Sequence, residues 1–278
     1  MKPKELLDSL LRGMGQIMLQ DNALTGALFL LGILFNSWLM FIGALFGVAT
    51  GTLAAVLLGY KKKDIECGLY GFNGALVGIA LFFFLVPDAV VLLLVIAGAA
   101  LSSIVMNYMH ERKMSPYTFP FVLSAWACLA AASLTGFVAF LPHPAPSASF
   151  DSIAALSTSL GQVMFQQNLV TGLLFLAGLL VSSRFAAAYG LIGAAAGTAA
   201  ALLLGFPIAL AGIGIYGYNA VLSCIAFSGK GWKDLPFALV AAVLSTLFVF
   251  AIQSTGISVL TSSFVFATWI VLALRKKL

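Results

Sequence analysis

Neutral hydrogen-bonding side chains recur in this chain as four matched pairs: Gln16 with Gln162, Asn22 with Asn168, Asn73 with Asn219, and Thr118 with Thr261. Amides and hydroxyls donate and accept hydrogen bonds without ionising near neutral pH. Their chemistry is recognition: they replace water around a neutral polar solute. Almost no ionisable group lies inside the apolar stretches. Asp21 stands at the edge of one and has Gln167 as its counterpart, while His110 and His143 fall in loops. Ion- or proton-coupled carriers keep buried carboxylates or histidines as relays, and the chain offers none. It also offers no nucleophile–base pair, no paired carboxylates and no metal-ligand cluster, so an enzyme, a metal site and a bound cofactor are not expected.

The pairs arise from an internal duplication. Residues 15–81 return at 161–227 without a gap, with 30 of 67 positions identical. Gly15-Gln16-Ile17-Met18-Leu19-Gln20-Asp21-Asn22 becomes Gly161-Gln162-Val163-Met164-Phe165-Gln166-Gln167-Asn168. Leu69-Tyr70-Gly71-Phe72-Asn73-Gly74-Ala75-Leu76 becomes Ile215-Tyr216-Gly217-Tyr218-Asn219-Ala220-Val221-Leu222. Thr118, Phe121 and Trp126 match Thr261, Phe264 and Trp269 at a slightly shorter offset, so the repeat runs to the end of each half. A duplicated hydrophobic unit in a membrane chain points to a transport pathway at the repeat interface. The plainer alternative is interhelical packing. Retention in both halves favours a pore role for the Gln and Thr pairs. Local backbone bonding suits Asn73 and Asn219, which adjoin small residues. Gly43, Gly47 and Gly51, with Gly193 and Gly197, have the spacing that lets helices approach closely.

Those residues need a membrane scaffold. The 278 residues are 62% hydrophobic and 8% charged, the signature of a polytopic membrane protein. Ten apolar runs fall near 23–35, 38–59, 67–85, 88–108, 118–141, 169–181, 186–204, 211–228, 235–253 and 260–274. With a cytoplasmic N-terminus, all fourteen basic residues lie on inside segments and the outside loops hold none. The net charge of +5 is thereby assigned to cytoplasmic loops rather than to nucleic-acid binding. Both termini are expected inside. Five crossings per half is odd, so the second repeat enters inverted. The segments Arg12–Asn22 and Ser157–Asn168 are apolar, interrupted and too short to span, and are expected to be re-entrant half-helices. The expected fold is an all-α polytopic membrane protein: ten transmembrane helices plus two re-entrant half-helices in two inverted repeats of five helices each. The first repeat is 1–140, the Pro/Ser-rich external linker 141–158, and the second repeat 159–278. Cys67, Cys128 and Cys224 have unrelated spacings and imply no disulfide framework. No cleaved signal peptide is expected.

Gly-Gln-hydrophobic-Met-Leu/Phe-x-x-Asn, then Leu-Tyr-Gly-Phe-Asn-Gly-Ala-Leu-Val-Gly, then Thr118-Phe119-Pro120-Phe121 with Trp126, resembles the urea transporter family of bacteria and vertebrates from about residue 13 to 270. The resemblance implies passive, channel-like urea conduction and a homotrimer with one pore per protomer in the cell (inner) membrane. It implies filter positions at Gln16, Leu19, Phe72, Leu76 and Thr118, and at Gln162, Phe165, Tyr218, Leu222 and Thr261. The chain departs from the family pattern at Leu19, where an aromatic is expected, and at Tyr218, where Phe is expected. Gln162 stands where some bacterial members have Glu, and Ser263 stands where the first half keeps Pro120.

The physics suits a flat neutral amide. A narrow slot between apolar walls admits the urea plane edge-on. Helix-end carbonyls, glutamine oxygens and threonine hydroxyls replace the water its NH groups lose, since an unpaired amide costs roughly 2–7 kcal/mol to dehydrate. The competing readings are a channel for another small neutral solute such as ammonia or a short amide, and an ion-coupled secondary carrier.

Overall fold

The computed structural model describes residues 2–143, 145–146 and 150–277. The chain divides into two compact units, Met1–His143 and Pro144–Leu278. The first holds α1 (Pro3–Gln16), α2 (Ala23–Asn36), α3 (Trp38–Leu57), α4 (Lys62–Glu66), α5 (Gly71–Phe84), α6 (Ala89–Glu111) and α7 (Phe119–Thr135). The second holds α8 (Ser152–Gln162), α9 (Leu169–Ser182), α10 (Arg184–Leu203), α11 (Ile208–Gly212), α12 (Tyr218–Ala226), α13 (Leu235–Gln253) and α14 (Ser262–Arg275). Among the described residues the one extended pairing is an isolated antiparallel bridge, Leu85 with Phe140.

Polar side chains set the helix starts. Asn22 accepts from the Thr25 amide and Asn168 from the Val170 and Thr171 amides, which begins α2 and α9. Ser37 and Ser183 do the same for α3 and α10, and Asp88 and Asp151 for α6 and α8. Glycines in the left-handed region follow α3, α7 and α10, at Gly59, Gly136 and Gly205.

Helix lengths differ from the expected uniform spans. Among the described residues four helices are long and apolar enough to cross a membrane: α3, α6, α10 and α13. Helices α2, α5, α7, α9 and α14 are apolar but shorter, and α12 has only 9 residues. The shortening has local causes. The runs at 67–85 and 211–228 each break at a turn before α5 and α12. The run at 118–141 stops being helical at Gly136. The half-helices also start earlier than expected, at Pro3 and Ser152. The helix at Ser152 therefore occupies the last part of the stretch read as an extended linker. Of that linker, residues 144 and 147–149 lie outside the described residues.

Within each unit the third long apolar segment is central: α5 packs on α1, α3, α6 and α7, and α12 on α8, α10, α13 and α14. The α3–α5 seam depends on glycine. A Cβ on Gly47 would lie 2.0 Å from the Gly74 carbonyl oxygen, and one on Gly74 would lie 2.4 Å from that of Gly47. Close backbone approach of this kind drives helix association where lipid supplies no hydrophobic contrast.

Candidate functional site

Each short helix, α4 and α11, is followed two residues on by a glycine that admits its neighbour. Gly68 and Gly214 have φ of +74° and +82°. A Cβ on Gly68 would lie 2.2 Å from the Gly13 nitrogen of α1, and one on Gly214 would lie 2.5 Å from the Ser159 nitrogen of α8. No other residue permits this approach. It brings the glutamine ending each half-helix onto a carbonyl just before the glycine. Gln16 Nε2 donates to the Cys67 carbonyl at 3.1 Å, and Gln162 Nε2 donates to the Ile213 carbonyl at 3.1 Å. With the nitrogen engaged, each side chain's carbonyl oxygen is the atom held for another donor.

The chain then turns through a left-handed residue. Leu19 and Phe165 both have φ of 61°. Their amides return to the Gln16 and Gln162 carbonyls, while the Gln20 and Gln166 amides return to Gly15 and Gly161. Helices usually place glycine at such a position. A bulky residue there is a true outlier, of order 1–3 kcal/mol of strain. Here it occurs at matching places in both units. Buried Gln20 and Gln166 brace the turn through side-chain bonds to the Met18 and Met164 carbonyls, at 2.8 and 2.5 Å. Sequence reasoning passed over these two, although their retention in both repeats was visible.

The central helices carry the next members. Phe72 and Leu76 lie one turn apart on α5, as do Tyr218 and Leu222 on α12, and all four are buried. Asn73 and Asn219 reach across to the start of the last helix in their unit. Their Oδ1 atoms accept the Phe121 and Phe264 amides, each at 3.1 Å. These amides are at the third position of α7 and α14, where a helix needs an external acceptor. The asparagines therefore bond backbone, as the sequence suggested, but on another helix. Thr118 and Thr261 occupy the N-cap positions of α7 and α14 and are buried, yet neither side chain makes the capping bond. The residues before them, Tyr117 and Leu260, are both left-handed at φ 48°.

The units differ in three ways. The Tyr218 hydroxyl donates to the Leu260 carbonyl, which also accepts Asn219 Nδ2 at 3.2 Å. The hydroxyl that Tyr218 adds relative to Phe is thus turned into the protein, and it fixes the ring. Ser263, in place of Pro120, is buried with no hydrogen-bond partner for its hydroxyl among the described residues. Lastly, Arg12 bridges Asp8 at 2.5 Å and Asp21 at 2.7 Å. The matching positions in the second unit are neutral, Thr158 and Gln167. Asp21 is therefore a paired surface carboxylate and no relay.

The ten expected site residues are thus placed as two sets of five. Each set rides on three adjoining pieces of one unit: the half-helix end, the central helix and the start of the last helix. Each set combines an oriented amide, apolar side chains and a threonine beside a strained backbone turn. None of these groups ionises near neutral pH. The arrangement can solvate a neutral hydrogen-bonding solute and cannot shuttle protons.

Known proteins are similar to this chain. The urea transporter family profile matches residues 7–276. Urea transporter 1 of Mus musculus is 28% identical over 271 residues, covering 88% of this chain and 69% of the relative. Urea transporter 1 of Ovis aries is 29% identical over 312 residues, covering 99% of this chain and 79% of the relative.

Proposed function

The chain belongs to the urea transporter family, and from that premise we propose that it conducts urea passively across a membrane, as a channel rather than a pump. It is no enzyme. The observation that carries the reading is the paired strain: non-glycine residues held left-handed at Leu19 and Phe165, and at Tyr117 and Leu260. Strain of this kind survives where a site needs a side chain that glycine cannot supply.

In this reading the Gln16 and Gln162 oxygens and the Thr118 and Thr261 hydroxyls accept urea NH groups. Phe72, Leu76, Leu19, Phe165, Tyr218 and Leu222 give the flat apolar contact that water and ions cannot use. A cation would shed its hydration with no carboxylate to replace it. Leu19 leaves one wall less filled than an aromatic would, and this favours tolerance of small substituted ureas and amides.

The finer topology belongs to the same proposal. Ten apolar segments cross the bilayer, and α1 and α8 enter it as re-entrant half-helices. The repeats have opposite sense and both termini are cytoplasmic, as the placement of all basic residues supports. The cell membrane is the proposed location, and a homotrimer with one pore per protomer the proposed assembly.

The test is stopped-flow light scattering on proteoliposomes under a urea gradient. Urea equilibration faster than in empty vesicles, and strongly slowed in Gln16→Ala and Thr118→Val, is the expected result. Folded protein giving no flux above empty vesicles overturns the proposal.

A further inference from the structure

A second feature of the second unit lies away from the transport residues. Helices α10 and α13, both long and apolar enough to cross a membrane, begin at one cleft of about 370 Å³ lined by Arg184, Phe185 and Trp232. The cleft is built from stacked rings. Trp232 lies flat against Tyr189, with centroids 5.4 Å apart and planes 13° apart. Phe185 meets Trp232 edge-on at 5.5 Å. The Tyr189 hydroxyl donates to the Gly231 carbonyl at 2.9 Å, which pins the loop before α13. Trp232 is nevertheless 51% exposed.

The charges around it are unbalanced. Arg184 lies 5.3 Å over the Phe185 ring, and among the described residues it has no carboxylate partner; nor do Lys230 and Lys233. The adjacent acid, Asp234, is held by Arg275 at 2.9 Å. In the basic loop of the first unit two of the three lysines are paired, Lys61 with Glu111 and Lys62 with Glu66. The cleft is not a relic of the duplication either, because Arg184 stands where the first repeat has Trp38.

We propose that this cleft binds the phosphate headgroup of an anionic phospholipid. Arg184 on the cleft wall holds the phosphate, Lys230 and Lys233 of the same loop as Trp232 add positive charge, and Trp232 lies along the glycerol and upper acyl chain. Guanidinium geometry suits phosphate, tryptophan settles at the headgroup level, and basic pockets between membrane helices take anionic headgroups. The position at the start of two spanning helices selects a lipid over a soluble partner. The inference rests on the membrane reading above but not on urea as the solute.

The test is native mass spectrometry of the detergent-purified protein, titrated with phosphatidylglycerol and with phosphatidylcholine of the same acyl chains. Phosphatidylglycerol is expected to be retained preferentially. Its affinity should fall roughly fivefold for each cation removed, in Arg184→Gln and Lys233→Gln. Trp38→Ala should leave it unchanged. Both charge variants alter exposed side chains, so folding is preserved even if Trp232→Ala proves unstable. Equal retention of the two lipids, wild-type retention in the double variant, or complete displacement by inorganic phosphate overturns the lipid site. Urea flux on the same preparations separates the two readings: selective lipid retention without urea flux overturns transport alone, and flux without selective retention overturns the lipid site alone.

Discussion

At the scale of single residues, the account turns on oxygen atoms held in place by bonds made elsewhere in the same side chain or turn. Gln16 and Gln162 are oriented through their nitrogens, and Asn73 and Asn219 cap helices that the neighbouring threonines leave uncapped. Thr118→Val keeps the shape and removes the hydroxyl. It should lower urea flux about tenfold, the effect of leaving one buried NH unsatisfied, with little change in melting temperature. Asn73→Ala should act differently. It strips the acceptor from the Phe121 amide and should cost about 1–2 kcal/mol of stability, read as a lower denaturation midpoint. Leu19→Phe fills the slot that an aromatic occupies in the other repeat. It should reduce methylurea and acetamide flux relative to urea, and unchanged ratios would sink the idea that Leu19 sets tolerance. The identity of these residues was legible in the sequence because the duplication marks them. The inward turn of the Tyr218 hydroxyl was not, because it depends on the left-handed Leu260 placing a carbonyl within reach. No residue type at 260 announces that conformation.

At the scale of elements, the seams matter more than helix propensity. The Gly47–Gly74 contact leaves no room for a side chain. Gly47→Leu should therefore destabilise the α3–α5 pair by at least about 1–3 kcal/mol and give aggregated or poorly folded protein on size-exclusion chromatography. Ala49→Leu, on the exposed face of the same helix, should elute like the parent. The four-residue glycine spacing made this seam readable in advance. Helix starts were readable as well, because Asn22, Ser37, Asn168 and Ser183 are strong caps. Helix ends were less so. The apolar runs at 67–85 and 211–228 continue through turns that hydropathy cannot see, because turn residues packed on a half-helix are as apolar as helical ones. The early starts of α1 and α8 were hidden differently: the first turn of α1 is charged, with Lys4 and Glu5, and α8 begins directly after the Pro/Ser-rich stretch.

At the scale of the whole chain, neutrality is the governing property. The ten site side chains hold no group that titrates near neutral pH. The basic loop at 60–66 is tied by Lys61 to Glu111, and that bond raises the pKa of Lys61. The raised lysine stays charged until pH climbs past its folded value, beyond the ordinary value of about 10.4, and the tie is lost at the acid end only when Glu111, whose pKa the same bond lowers, takes up a proton. Urea flux should therefore be flat from about pH 7 to about pH 9, as proteoliposome assays across that range can check. The family and the broad membrane class were legible in composition and motif. The solute was legible through the family's motifs, because neutral amides and hydroxyls alone fit several small solutes. The central claim is passive conduction, and its most direct test is the initial urea flux into proteoliposomes as urea concentration rises, with and without imposed proton and sodium gradients. The account predicts flux that rises nearly in proportion to concentration and ignores both gradients. Flux that saturates at low concentration and collapses when either gradient is dissipated would contradict it.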